Sequence, residues 1–210
     1  MYVTVNWRPS GIPDKSVIID AASTGWSSRK DQDCLEIFEN ALYEDSVAFL
    51  KRLISWNHTS VLEHIVFKFS VRLTVACAAQ VKTHRMASYT QKSYRIAREF
   101  GELSHPFIVP PQLSVDDILS WVDDMMIHID IYNKWLRKGY TSDVARFHLP
   151  QGLATNIAIT MNARSLRNLF SMRLKKHAMF EFRELCRQML NLIKEEGLYF
   201  LFEDVVEGVL

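Results

Sequence analysis

The sequence predicts an α+β fold, a central twisted, mainly antiparallel sheet with long packed helices, in a single domain over residues 1–210. Three observations lead there. Apolar and polar residues alternate over residues 65–73 and 156–161, the period of a strand with one buried face. Apolar residues recur at helical spacing after Ser114 and again over residues 166–192. Strands and helices do not alternate strictly, which argues against a parallel βαβ architecture.

Residues 2–7 are β-branched and aromatic and are stopped by Pro9 and Gly11, so they read as a first short strand. Val47, Leu50, Leu53 and Ile54 mark the helix expected to follow it. The next strand puts Phe67, Phe69, Val71 and Leu73 on one face and Val66, Lys68, Ser70 and Arg72 on the other. Ser114 is a good N-cap for a helix whose stripe is Ile118, Leu119, Val122, Met125, Met126 and Ile129, and Gly139 ends it. A later strand carries Ile157, Ile159 and Met161 on its apolar face and runs into Asn162. One long helical pattern follows through Leu169, Phe170, Met172, Phe180, Leu185 and Met189. These Met and aromatic stripes are expected to face the core.

A chain of 210 residues with 48% hydrophobic and 23% charged residues lies in the ordinary globular range. A net charge of +1 supplies no global reason to bind nucleic acid or an anionic membrane, so any anion site must be local. The first residues lack a signal-peptide pattern and no apolar run approaches a membrane span, so a soluble, cytoplasmic protein is expected. Three scattered cysteines outline neither a disulfide framework nor a zinc ribbon. No metal site is expected either, because H-E-x-x-H is absent and His58, Glu63 and His64 do not fit zinc spacing. With only 7 glycines and no Walker or Rossmann fingerprint, phosphate binding must use side chains.

Two clusters could supply them. Residues 80–95, QVKTHRMASYTQKSYR, mix Lys82, His84, Arg85, Lys92 and Arg95 with Ser88, Thr90, Gln91 and Ser93. A solvated basic face and a phosphate site both fit that composition. The second, NARSLRNLFSMRLKKHAMFEFRE, sets Arg164 four residues before Asn168 and Arg173 four before His177, so each pair would share a helix face. Asn162 and Arg164 stand where strand gives way to helix, a junction at which side chains and helix N-terminal amides converge.

Thr83-His84-Arg85, seven residues and then Ser93 resembles the hallmark of the flavin-dependent thymidylate synthases, Arg-His-Arg, seven residues, Ser, at three of four positions. HTSVLEH from His58, Arg146 in DVARFHLP, and the late block resemble further blocks of that family in the same order, together covering most of residues 47–190. The resemblance implies FAD as cofactor, with NADPH and methylenetetrahydrofolate as co-substrates. It also implies one-carbon transfer to C5 of a deoxypyrimidine monophosphate, dUMP to dTMP first of all, in a homotetramer with FAD at subunit interfaces.

By the same resemblance, Ser60, Glu63, His84, Arg85, Asn162, Arg164, Asn168 and His177 are flavin residues. Gln80, Gln91, Lys92, Ser93, Arg95 and Arg146 hold the nucleotide, and Arg173 engages the pyrimidine ring. Arg173, Ser93 and His58 are the residues implied to lie nearest the chemistry. The chain departs from the family pattern at Thr83, where the first arginine of the triplet is missing, although Lys82 adds a charge next door. It departs again at Thr90, Gln91, Tyr94 and Ile96. Gln91 replaces a carboxylate, which only accepts hydrogen bonds, with an amide that also donates. These departures keep two alternatives open, the same chemistry (methylation or hydroxymethylation) on dCMP and a non-catalytic flavin- or nucleotide-binding paralogue.

Overall fold

The computed structural model describes residues 3–27, 33–94 and 106–207. Strands β1 (Thr4–Trp7), β2 (Val66–Thr74), β3 (Ala87–Gln91) and β4 (Ala154–Asn162) form one antiparallel sheet in the order β1-β2-β4-β3. The helices are α1 (Lys15–Ser27), α2 (Cys34–Asn40), α3 (Tyr43–Ser55), α4 (Val75–Val81), α5 (Val115–Arg137), α6 (Ser142–Ala145), α7 (Ala163–Arg173), α8 (Phe180–Glu195) and α9 (Glu203–Val206). Short 3₁₀ turns occupy Ser60–His64, Arg146–His148 and Tyr199–Leu201. The chain is therefore α+β, as its patterning predicts. Among the described residues no helix is long and apolar enough to cross a membrane.

The chain packs into two compact units. The described residues of the larger fall within Val5–Ser70, His84–Ser88 and Ile159–Leu210, and those of the smaller within Met1–Thr4, Val71–Thr83 and Tyr89–Ala158. Strands β2 and β4 contribute residues to both.

The two long strands show the alternation their sequences demand. Phe67, Phe69, Val71 and Leu73 are buried, as are Ile157, Ile159 and Met161, while Val66, Ser70 and Asn156 are exposed. Each buried apolar side chain contributes roughly 1.5–3 kcal/mol. Slipping the register by one residue would turn the whole set to water.

In the larger unit, α1 and α3 cross closely at Gly25, where a Cβ would stand 3.0 Å from Leu53 Cδ1 and 3.1 Å from Phe49 Cε1. Trp26 stacks on Phe49 beside this crossing, with ring centroids 4.6 Å apart. The pattern at Val47, Leu50, Leu53 and Ile54 is that of α3, but α1 and α2 precede it, so the first helix after β1 is not the one expected. Cys77 and Cys186 are buried and Cys34 is half-buried, close to the Thr24 hydroxyl.

In the smaller unit, Ser114 caps α5 by accepting from the Asp117 amide, and Gly139, at φ +87°, carries the chain out of the helix. The α5 stripe does not all face the core. Ile129 is buried and Ile118, Val122 and Met125 are half-buried, but Leu119 and Met126 are exposed. The buried cluster of Phe107, Ile129, Tyr132, Ala145 and Leu153 is small and meets the C-terminal part of a 23-residue helix, leaving the earlier turns less to pack against.

The single long helix expected over residues 166–192 is two. Helix α7 ends at Arg173, and α8 starts at Phe180. Basic residues crowd the break, where they favour the negative end of the α7 dipole, and Arg183 donates to the Lys176 carbonyl across it. From the inner face of α7, buried Arg167 forms a bidentate pair with Asp204 at 2.7 and 2.6 Å and donates to the Leu201 carbonyl at 2.6 Å. Arg167→Ala should lower the unfolding free energy by about 2–4 kcal/mol, since it strands a buried carbonyl and removes a charge-assisted fork. Arg167→Lys should recover little of it, because lysine lacks the planar fork. Urea denaturation of the three proteins measures this, and equal midpoints would show that the fork is not a stabilising contact.

Candidate functional site

In the larger unit the expected flavin residues other than His84 and Arg85 lie on two adjoining elements and their flanks. Asn57, at φ +60°, turns the chain out of α3, so that His58 precedes the Ser60–His64 turn. That turn buries Val61 and Leu62 and leaves His58, Ser60 and Glu63 exposed. Asn162 caps α7, its side-chain oxygen accepting from the Ser165 amide at 2.8 Å, while the Ala163 amide donates to the Ile65 carbonyl. This junction sets the first turn of α7 against the Ser60–His64 turn. Arg164 Nη1 reaches Glu63 Oε1 at 2.6 Å, with both side chains about half exposed (53% and 50%). Asn168 lies one helical turn further along the same exposed face.

Arg173 and His84 form a more enclosed pair. Arg173 Nε donates to His84 Nε2 at 3.0 Å, and its guanidinium lies 4.8 Å from the centroid of the Phe182 ring. The same ring meets His84 edge-on. Because Arg173 can only donate, His84 Nε2 is unprotonated there, and the proton of the neutral imidazole sits on Nδ1. Burial, and then the Arg173 charge, hold the His84 pKa below its ordinary 6.5. Arg85, next in sequence, is exposed.

The expected pairing of Arg173 with His177 on one helix face is not what forms. Arg173 is the last residue of α7, and exposed His177 lies in the turn beyond Leu174, so the two share no helical face. Only the Arg164–Asn168 pair keeps the four-residue relation within a helix. Ser23 is buried in α1 and donates to the Ile19 carbonyl.

In the smaller unit the expected nucleotide residues Gln91, Lys92, Ser93 and Arg146 line one cavity of about 530 Å³ with Tyr94, Phe147 and Gln151. Among the described residues no aspartate or glutamate lines it, although Asp143, just outside the lining, approaches Arg146 at 3.5 Å. Gln80 is exposed on α4. The Thr83 hydroxyl donates to the Gln80 carbonyl at 2.7 Å, so it is occupied in closing the end of that helix. Arg95 lies outside the described residues. Sequence reasoning overlooked Thr155 and Phe182, and took Tyr94 only as a departure from the family pattern. Thr155 was detectable, since it falls on the buried face of β4 in register with Ile157, Ile159 and Met161, where a polar residue needs a partner.

Residues 12–196 match the family model of the thymidylate synthase complementing protein. The chain belongs to this family. A flavin-dependent thymidylate synthase of Pyrococcus abyssi is 36% identical over 173 residues, covering 80% of this chain and 71% of that protein. Among solved structures, the UMP/dUMP methylase PolB from Streptomyces cacaoi, bound with 5-Br dUMP, superposes with TM-score 0.78 at 20% identity over 96% of this chain and 94% of its own. Thymidylate synthase X from Helicobacter pylori, with FAD and dUMP, gives TM-score 0.71 at 23% identity over 99% of each chain. At these identities the two structures establish the shared fold. Of the expected site residues, Asn162 and Arg164 stand at the β4–α7 boundary, and Lys92 and Ser93 in the segment after β3.

The lowered His84 pKa has a consequence of definite sign. The neutral form is favoured when folded, so its contribution to stability is present above the unfolded pKa of 6.5 and is lost as pH falls from there through the lower folded value. An imidazole NMR titration should place His84 below 6.5. Arg173→Gln should move it only part of the way back, because burial is the larger cause. A wild-type value at or above 6.5 would contradict the enclosed neutral imidazole.

Proposed function

We propose that this protein methylates dUMP at C5 to give dTMP with FAD as its cofactor, as a flavin-dependent thymidylate synthase whose whole chain, 1–210, acts as one catalytic domain. The single observation that carries this reading is the donor-lined cavity, with no carboxylate among its described lining residues, in a chain of this family. Lys92, Ser93 and Arg146 offer an ammonium, a hydroxyl and a guanidinium, the groups that suit a phosphate monoester. Both solved relatives named above hold uracil nucleotides, which favours uracil over cytosine as the base.

The exposed guanidinium, amide and imidazole of Arg164, Asn168 and His177 fit a flavin dinucleotide, whose pyrophosphate and polar ring edge need donors of this kind. Ser60, Glu63, His84, Arg85 and Asn162 complete the set proposed to hold it, with His58 on the side where the folate would approach. When bound, FAD supplies the hydride chemistry. The protein's part is to bind, orient and polarise. Gln80, Gln91, Lys92, Ser93, Arg95 and Arg146 hold the nucleotide by its phosphate and sugar. Arg173 is restrained at Nε by His84, which leaves its terminal nitrogens to donate to pyrimidine carbonyl oxygens and to stabilise negative charge as it develops on the ring. Methylenetetrahydrofolate as carbon donor, NADPH as hydride source, a homotetramer with FAD at subunit interfaces and a cytoplasmic location complete the proposal.

Two measurements test it. Purified protein should carry or take up FAD, read by its absorbance, and Arg164→Ala or His177→Ala should lower the flavin content. Full flavin in both variants would remove these residues from the cofactor site. For the nucleotide, losing one charge-assisted bond costs about 1.5–3 kcal/mol, so Arg146→Ala should raise the dUMP dissociation constant roughly ten-fold or more. Deoxyuridine should bind wild type and variant alike. If the variant weakens the nucleoside as strongly as the nucleotide, Arg146 is not a phosphate ligand.

A further inference from the structure

The nucleotide cavity of the smaller unit is backed by a directed chain of hydrogen bonds. Lys82 Nζ lies 2.6 Å from Gln91 Oε1, and Gln91 Nε2 lies 3.3 Å from Thr155 Oγ1. The Thr155 hydroxyl bonds the Tyr94 phenol, and that phenol donates to the Ala154 carbonyl. An ammonium can only donate and a carbonyl can only accept, so both ends impose one direction on the chain. Lys82 donates to Gln91, Gln91 to Thr155, Thr155 to Tyr94 and Tyr94 to Ala154.

This direction decides which way the Gln91 amide faces. An amide by itself can turn over and exchange its oxygen for its nitrogen at almost no change in shape. Here the atom 2.6 Å from an ammonium must be the oxygen, which leaves the NH₂ on the other side. One of its hydrogens goes to Thr155, a side chain only 1% exposed, and the second remains for a ligand of the cavity that Gln91 lines. Bonds in such a chain polarise one another, so the donor at its centre is strengthened as well as oriented.

Resting on the nucleotide reading of this cavity, we propose that Lys82 is a positioning residue that locks Gln91 as a hydrogen-bond donor and so selects an acceptor oxygen of the phosphate–sugar half of the nucleotide. Lys82 thus acts through Gln91, at a place where Thr83, the departure from the hallmark, spends its hydroxyl on the Gln80 carbonyl. A glutamate at position 91 would still pair with Lys82 but would offer the ligand no N–H.

The test is a double-mutant cycle on dUMP affinity, measured by titration calorimetry with the FAD-loaded full chain. Lys82 is exposed, so its replacement leaves the core intact. Lys82→Met should weaken dUMP binding roughly three- to ten-fold, the worth of about one net hydrogen bond, and Lys82→Arg should restore most of it. In a Gln91→Leu background, Lys82→Met should add almost nothing, because the group through which it acts is gone. An equal loss in both backgrounds would mean that Lys82 acts as a free-standing charge and would overturn the proposal. So would unchanged binding in Lys82→Met when the wild type binds dUMP. A wild type that binds no dUMP would overturn the nucleotide reading, and this proposal with it.

Discussion

The pairing of β2 with β4 is the constraint on which the rest depends. Both strands bury every second side chain, and their register is held by the Ala163 amide on the Ile65 carbonyl at one end and the Val75 amide on the Leu153 carbonyl at the other. Each strand then releases a helix through a capping side chain, Thr74 for α4 and Asn162 for α7. Several of the polar groups argued to bind or position ligands are carried near those two exits, Gln80 and Lys82 at the end of α4 and Arg164 and Asn168 along α7. Apolar periodicity, which knows nothing of chemistry, thereby decides where the chemistry stands.

Two arginines of the larger unit, Arg164 and Arg173, are held with unequal strength. Arg164 and Glu63 are each about half exposed, and a pair of that kind is worth at most about 1 kcal/mol, so a bound anion can take the guanidinium at small cost. Arg173 is clasped by a buried imidazole and an aromatic face, which restrict its rotamers before any ligand arrives. One residue is adjustable and the other preorganised. That division suits the proposed roles, Arg164 accommodating a large cofactor and Arg173 aiming a donor at a reacting ring.

Much of this was legible in the sequence. The period-two runs gave β2 and β4, Ser114 and Gly139 bounded α5, and Asn162 at a strand end gave the α7 junction. What escaped did so for physical reasons. The break after Arg173 contains neither proline nor glycine, so propensity offered no signal against a continuous helix, and the His177 relation inferred from it failed. Helix α4 and strand β3 are 7 and 5 residues long, too short for periodicity to separate them from coil. The apolar residues of α5 were read correctly as one stripe, but periodicity cannot tell how much of a stripe the available core covers. Lys82 looked like one more cation in a basic run, and only its contact with Gln91, nine residues away, distinguishes it.

The Arg167 fork bears on the order in which the molecule can form during synthesis. Its acceptors at Leu201 and Asp204 lie 34 and 37 residues downstream, and the amide of Val5 in the edge strand β1 is satisfied by Gln188, 183 residues away. A nascent chain that has just extruded α7 therefore presents a guanidinium whose counter-charge has yet to be made, and an edge strand waiting on a helix still inside the ribosome. Enclosing that cation without its partner is unfavourable, so the inner face of α7 stays solvated until the C-terminal turns emerge. The larger unit closes last to first, its first strand and its central helix both secured by residues made after them, Gln188 in α8 and Leu201 and Asp204 beyond it.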